Sequence, residues 1–310
     1  MGQRMAIVDC GTNTFNILIA EQSDKGDWET LFSNKWPVKI GEGGFEDRQI
    51  TDARMAKGLD ALQYYYSIVQ AYQVGKVHVF ATSALRDARN TDVFKSHVKS
   101  LTNWEISVID GDEEAQLIYE GVQQTMDLHE VPTLLMDIGG GSTEFIITTA
   151  EGIVFKHSTQ LGISRIFEQV PMMDRAQKNQ LNLIKQIFDA DTQELKKALA
   201  QYPCERLVGA SGSFDTLLEL YYYTNKKERI WLSHQAQEIP VEAFASIYMF
   251  MMGSSYEDRL KHPAIPNLRV QFMPIAIYLM KLVLDLQPFN QIYRSPYALK
   301  EGVLKRLQSR

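Results

Sequence analysis

Residues 137–144, DIGGGSTE, decide how this chain folds. They lie between two apolar runs, TLLM (133–136) and FIITT (145–149). Both runs read as strands, so the glycines make the turn of a hairpin. A strand–turn–strand with Gly and Ser or Thr in the turn points several backbone N–H groups into one concavity. Such nests bind phosphate oxygens. Glycine lets the backbone approach closely, and Ser142 and Thr143 add hydroxyl donors. Gly-rich hairpins also serve as plain connections, and an Asp at a strand end often only starts a turn. One such turn does not separate the two readings.

A second stretch does. MAIVDCGTNTFNILIAE (5–21) has the same order: an apolar strand, an Asp, a turn of Gly and small polar residues, and a second apolar strand. The recurrence predicts an internal duplication, with two lobes that each open on a hairpin. Two such turns facing one another would line a cleft with donors on both sides. The phosphate-binding candidates are Gly11, Thr12 and Asn13 in the first turn. In the second they are Gly139, Gly140, Gly141, Ser142 and Thr143. Asp9 and Asp137 end the strands before the turns. Ionised carboxylates only accept hydrogen bonds, and two of them beside phosphate nests suit Mg²⁺ or another divalent cation. Glu144 closes the second turn and is the third candidate metal ligand.

Composition bounds the rest. The 310 residues fit two domains of about 150 each. Apolar content of 45% with 23% charged residues is a soluble globular profile. No stretch approaches the roughly 20 apolar residues of a membrane helix, and the N-terminal run is too short for a signal peptide. Cys10 and Cys204 lie far apart without partners at metal spacing, which fits a reduced, cytoplasmic protein. A net charge of -6 argues against a nucleic-acid coat. An anionic substrate then needs local groups or a cation to offset the field.

Around the hairpins the pattern alternates strands and helices. The segment 51–74 has helical period, with Thr51 or Asp52 as N-cap. KVHVFATSA (76–84) reads as a strand, 85–102 as a helix broken near Asn90, EISVIDGD (105–112) as a strand and EEAQLIYEGVQQTM (113–126) as a helix. The lobe boundary is expected near 125–132, giving lobes 1–127 and 128–310, with a terminal helix over 295–309 that packs back on the first lobe. The run 267–286 reads as one apolar helix in the second core or at a subunit interface. The histidines form no spaced set.

A phosphate-binding cleft can hydrolyse only if some group beside it activates a water. Glu113 and Glu114 open the helix after 105–112, and adjacent helical residues point about 100° apart. Glu114 lies nearer the stripe of Leu117, Ile118, Gly121 and Val122, where burial favours a carboxyl suited to act as general base. Glu113 suits the helix dipole. Arg86 follows the strand 76–84 and offers a fork to phosphate, and Lys39 adds a second cation.

Taken together these motifs resemble the exopolyphosphatase/guanosine pentaphosphatase phosphatase family, of the actin–Hsp70–sugar kinase fold. VDCGTNTFNILIAE resembles the family's first phosphate motif, with Cys10 where an aliphatic residue is usual. VKIGEGG resembles a basic segment, with Lys39 where Arg is frequent. ATSALRDARN resembles the motif ending in Arg and Asn, and VIDGDEEAQLIYEGV the segment with the catalytic Glu, Asp110 standing where Ser is usual. DIGGGSTEF matches the second phosphate motif without a departure. GASGSFDTL and SPYALKEGVL resemble the last two motifs, with Ser213, Ala298 and Lys300 as departures. The resemblance covers nearly the whole chain. It implies two actin-like (ribonuclease H-like) lobes around a central cleft, each a mixed sheet with flanking helices. It also implies Mg-assisted hydrolysis of the terminal phosphoanhydride of polyphosphate or guanosine pentaphosphate, with Glu114 and Arg86 catalytic. Family members often dimerise. Longer members carry a C-terminal helical region of the HD type that resembles nothing here, which leaves short polyphosphate, the pentaphosphate and nucleotides all open as substrates. The competing readings are a small-molecule kinase of the same superfold and a non-catalytic nucleotide switch.

Overall fold

The structure is a computed structural model that describes residues 2–24, 26, 28–227 and 233–308. Ser309, at the end of the expected terminal helix, lies outside them. The chain divides into two compact units, residues 1–114 with 306–310, and residues 115–305. The division falls inside a helix, upstream of the loop at 125–132.

The first unit runs β1 (Arg4–Cys10), β2 (Thr14–Gln22), β3 (Trp28–Pro37), α1 (Asp52–Ala71), β4 (Lys76–Ala81), α2 (Ser83–Asp87), α3 (Thr91–Thr102), β5 (Ile106–Val108) and the start of α4 (Gly111–Val122). Its sheet order is β3-β2-β1-β4-β5. The β1–β2 and β2–β3 pairs are antiparallel, and β4 and β5 add in parallel. Phe15, Ile17 and Ile19 of β2 are fully buried with Tyr65 of α1 and Phe94 of α3. Burying each such side chain contributes about 1.5–3 kcal/mol. Thr51 caps α1 by accepting the Arg54 N–H. The expected break near Asn90 separates α2 from α3, and the Asn90 side chain bonds both backbone groups of Ile50.

The second unit continues with β6 (Thr133–Ile138), β7 (Thr143–Thr149), β8 (Gly152–Thr159), α5 (Ile163–Gln169), α6 (Lys178–Asp191), α7 (Gln193–Gln201), β9 (Arg206–Ala210) and α8 (Ser211–Thr224). It closes with β10 (Gln237–Ile239), α9 (Val241–Gly253), α10 (Tyr256–Lys261), α11 (Met273–Leu284), β11 (Gln291–Arg294) and α12 (Leu299–Gln308). Its sheet order is β10-β11-β9-β6-β7-β8. Apart from the added edge strand β10, this repeats the first sheet: an antiparallel hairpin and third strand, then two parallel additions. The duplication read from the two Asp-led hairpins thus extends to two actin-like sheets with flanking helices.

Two expectations need correction. The apolar run 267–286 is not one helix. A short 3₁₀ turn occupies Asn267–Arg269, and α11 begins only at Met273, where Pro274 fits the first turn because that turn needs no N–H partner. The stretch SGSF after the strand-like ERLVGAS reads as a further glycine turn, but no turn separates that strand from a helix. The helix α8 starts directly at Ser211, which takes a left-handed φ of 69°.

Glycines also fix how α12 meets α4. A Cβ on Gly302 would lie 1.8 Å from the Leu117 carbonyl oxygen, and one on Gly121 would lie 2.0 Å from that of Ala298. The two helix backbones therefore touch. This gives the motif SPYALKEGVL a packing role, and Ala298 and Lys300 leave that role intact.

Candidate functional site

In the first unit the carboxyl ends of β1, β4 and β5 lie at one edge. Cys10 pairs with Ala81, and Ala81 with Val108. The turn after β1, the helix α2 after β4 and the helix α4 after β5 therefore start side by side, where open sheets with parallel strands carry their ligands. Gly11 N–H donates to the Thr14 carbonyl (3.1 Å), closing the turn. Asn13 carbonyl accepts from Val38 and Lys39 N–H, both at 3.0 Å. Among the described residues, the Thr12 N–H donates to no protein acceptor. Asp9 faces Asn16 across the strand pair, and the Asn16 amide donates to its carboxylate (2.9 Å).

The acidic pair separates as the helix geometry requires. Asp110 caps α4 by accepting the Glu113 N–H at 2.8 Å, so the departure from Ser costs no cap. Glu113 turns outward and pairs with Arg306. Glu114 is 7% exposed, and one of its oxygens accepts from the Arg86 guanidinium at 2.8 Å. The same Arg86 nitrogen donates to the Ile109 carbonyl (3.1 Å). Arg86 and Glu114, read from separate motifs, thus form one pair.

Lys39 holds a left-handed φ of 54°, which lets its N–H reach the turn. Its ammonium lies 3.4 Å from Glu42. Cys10 is buried, and desolvation, reinforced by the charge of Asp9, pushes its thiol well above the ordinary value.

The second unit repeats the turn at the same length. Gly139 N–H donates to the Ser142 carbonyl (2.9 Å). Asp137 and Glu144 stand directly opposite across β6 and β7, so they share a face. Glu144 is 1% exposed and accepts from the Ser158 hydroxyl at 2.7 Å. It is a buried carboxylate, not a solvent-facing strand residue. Ser211, after β9, donates its hydroxyl to the Ile138 carbonyl (3.1 Å) and so braces the turn. Thr143 donates its hydroxyl to the Leu161 carbonyl at 2.7 Å. That bond engages the hydroxyl donor of Thr143 within the fold.

The glycines of this turn do not serve a left-handed backbone, because none has a positive φ. They serve close approach. A Cβ on Gly139 would lie 3.0 Å from the Ser142 carbonyl oxygen, and the same distance separates a Cβ on Gly11 from that of Thr14.

No group of three or more His, Cys, Asp or Glu able to hold a metal occurs among the described residues. The oxygen-only carboxylates still suit magnesium. That ion is commonly held by one or two carboxylates, with water and substrate phosphate filling its remaining positions.

Sequence reasoning missed Gly162 and Arg165. Ile163 N–H donates to the Gly139 carbonyl (3.1 Å) and Ser164 N–H to that of Gly140 (2.8 Å). Arg165 donates its N–H to the Gly140 carbonyl (3.2 Å) and its Nε to that of Gly141 (2.9 Å). A Cβ on Gly162 would sit 2.2 Å from the Gly141 carbonyl carbon. The signal was available. LGISR follows the third strand of its unit as VKIG follows β3, and carrying the duplication that far finds it.

The repeated sheet and its Asp-led turns define a two-unit protein of the actin-like class. Within that class the chain belongs to the Ppx/GppA phosphatase family, whose model matches residues 18–310. It is 32% identical over 302 residues to the guanosine-5'-triphosphate,3'-diphosphate pyrophosphatase of Vibrio parahaemolyticus, covering 96% of this chain and 58% of that protein. The corresponding protein of Aeromonas hydrophila is 26% identical over 303 residues, with the same coverage. The chain thus spans less than three fifths of the length of these relatives. An exopolyphosphatase from Cytophaga hutchinsonii superposes with a TM-score of 0.94 at 34% identity, covering 99% of this chain and 98% of that one. A Ppx/GppA family member from Aquifex aeolicus shares the fold, with a TM-score of 0.78 at 20% identity, covering 98% of this chain and 97% of that one. No helix among the described residues is long and apolar enough to cross a membrane.

Proposed function

We propose that this chain is an exophosphatase that hydrolyses the terminal phosphoanhydride of inorganic polyphosphate or of guanosine 5′-triphosphate 3′-diphosphate. The observation that carries the reading is the buried Glu114, held by Arg86 at the sheet edge that also bears the first turn. A phosphate-binding turn alone fits a switch or a kinase. A carboxylate oriented beside it fits the activation of water.

Phosphoryl transfer depends on positioning and on neutralising the phosphate oxygens. The amide of Thr12 in the first unit, and those of Gly140, Gly141 and Ser142 in the second, are each suited to such positioning. Arg86 holds Glu114 in one orientation and contributes positive charge. Glu114 accepts the proton of the attacking water as its oxygen bonds to the terminal phosphorus. The bridging P–O bond then breaks, and the chain leaves one phosphate shorter. A bound magnesium ion would neutralise phosphate charge. Asp137 and Glu144 would hold it, and Asp9 offers the corresponding carboxylate in the first unit. Similarity to proteins named exopolyphosphatase and pentaphosphate pyrophosphatase supports both substrates.

The test is orthophosphate release with Mg²⁺ from tripolyphosphate, long-chain polyphosphate, the pentaphosphate and ATP in parallel. Release from polyphosphate or the pentaphosphate, abolished by EDTA, is expected. Transfer of ATP phosphate to a small-molecule acceptor faster than hydrolysis would overturn the reading.

A further inference from the structure

We propose that Arg165 is a positioning residue for the second phosphate turn; the proposal rests on the reading that this turn binds phosphate. Each unit clamps its turn with the segment that follows its third strand. In the first unit, two amides, of Val38 and Lys39, converge on the Asn13 carbonyl. In the second, three successive carbonyls are held: Gly139 by Ile163, Gly140 by Ser164 and Arg165, and Gly141 by the Arg165 side chain.

The consequence follows from peptide planarity. In a trans peptide the C=O of one residue and the N–H of the next point in opposite directions. Holding the carbonyls of Gly139, Gly140 and Gly141 towards α5 therefore turns the amides of Gly140, Gly141 and Ser142 the other way. Among the described residues, those three amides donate to no protein acceptor. The first two carbonyls are held by backbone, which any sequence supplies. The third depends on a side chain. Without Arg165 the Gly141–Ser142 peptide is free to rotate, and rotation removes the Ser142 amide from the phosphate. A guanidinium is suited to the task because its Nε–H is fixed in the plane of the fork, and a charged donor makes the stronger bond.

The test uses the full chain and tripolyphosphate, with binding by calorimetry and hydrolysis by phosphate release. Arg165→Ala is expected to raise Kd and KM about tenfold to a hundredfold, the loss of one charged hydrogen bond. Its kcat should stay within about threefold, because ground state and transition state lose the same contact. Arg165→Lys, which keeps a donor but not its direction, should fall between Arg165→Ala and wild type. Guanidinium chloride at low millimolar concentration should lower KM in Arg165→Ala and leave wild type unchanged, a rescue that a merely structural role would not show. If Arg165→Ala does not fold, an unchanged KM in Arg165→Lys overturns the proposal. So does an unchanged KM in a folded Arg165→Ala, or a loss of kcat without a rise in KM. Wild type that neither binds nor hydrolyses tripolyphosphate, long polyphosphate or the pentaphosphate overturns the proposed function, and this inference with it.

Discussion

The two Asp-led turns are the same device used for different work. Both are four-residue turns closed by one N–H to C=O bond, and in both a Cβ on the first glycine would press on a carbonyl oxygen at 3.0 Å. They differ in what surrounds them. The first turn shares its sheet edge with the buried Glu114 and the part-buried Arg86 that holds it, and the Asn16 amide engages the carboxylate before it. In the second, Glu144 stands where the first has Asn16, so two carboxylates share a face. On the function proposed above, the duplicated fold divides its labour: proton transfer is assigned to one copy and metal affinity to the other.

The most severe way to break this division is Glu114→Gln. The amide keeps size and a hydrogen-bond acceptor for Arg86 but cannot take a proton. We expect kcat to fall about 10²–10⁴-fold while tripolyphosphate binding by calorimetry changes little. A Gln variant with wild-type kcat would remove the base from the first copy. Glu144→Gln should act on the other axis. The Mg²⁺ concentration for half-maximal activity should rise about 10–100-fold, with kcat at saturating Mg²⁺ mostly restored. If saturating Mg²⁺ restores nothing, Glu144 is not a metal ligand.

The next effect tests whether the turns are equivalent as structures. Gly162→Ala would drive a Cβ into backbone atoms of Gly140 and Gly141, the nearest at 2.2 Å. Backbone cannot swing aside, so the turn must move. The expected destabilisation is about 1–3 kcal/mol, read by urea denaturation, with a raised KM. Gly11→Ala and Gly139→Ala each meet one carbonyl oxygen at 3.0 Å. Both should cost less than Gly162→Ala, and about the same as each other. Unequal costs would break the equivalence of the two turns.

Most of this was legible in the sequence because the relevant signals are local. DCGTNT and DIGGGSTE are contiguous, and each is flanked by apolar runs of strand length. Glu114 could be chosen over Glu113 from helical phase alone, and its burial beside Arg86 follows that phase. What escaped notice acts at a distance through backbone. Gly162 and Arg165 touch carbonyls about 20 residues earlier, and a carbonyl has no residue identity to read. The onset of α8 at Ser211 escaped for a related reason. A Gly-Ser stretch after a strand reads as a turn, and only tertiary packing turns it into the first turn of a helix.

The smallest effect concerns the remaining difference between the turns, Cys10 against Ile138. Both side chains are buried at the same step of the hairpin, so the thiol works there as a small apolar group. Cys10→Val should leave phosphate release within about twofold. Its signature should appear in alkaline stability. Burial and the Asp9 charge raise the folded thiol well above 9.0, the value of an ordinary thiol. Below pH 9 the thiol is protonated in both states and contributes no pH dependence. Above pH 9 the unfolded chain releases this proton and the folded chain does not, so stability falls as pH rises, by up to about 1.4 kcal/mol per pH unit. Cys204, pushed up to about 12 by burial, adds a fall of the same sign between pH 9 and 12. Urea unfolding at pH 8.0, 9.5 and 10.5 should therefore show a shallower decline for Cys10→Val than for wild type, with Cys204 accounting for part of what remains. Parallel declines would mean that the Cys10 thiol ionises in the folded turn, and the likeness of its site to that of Ile138 would fail at this position.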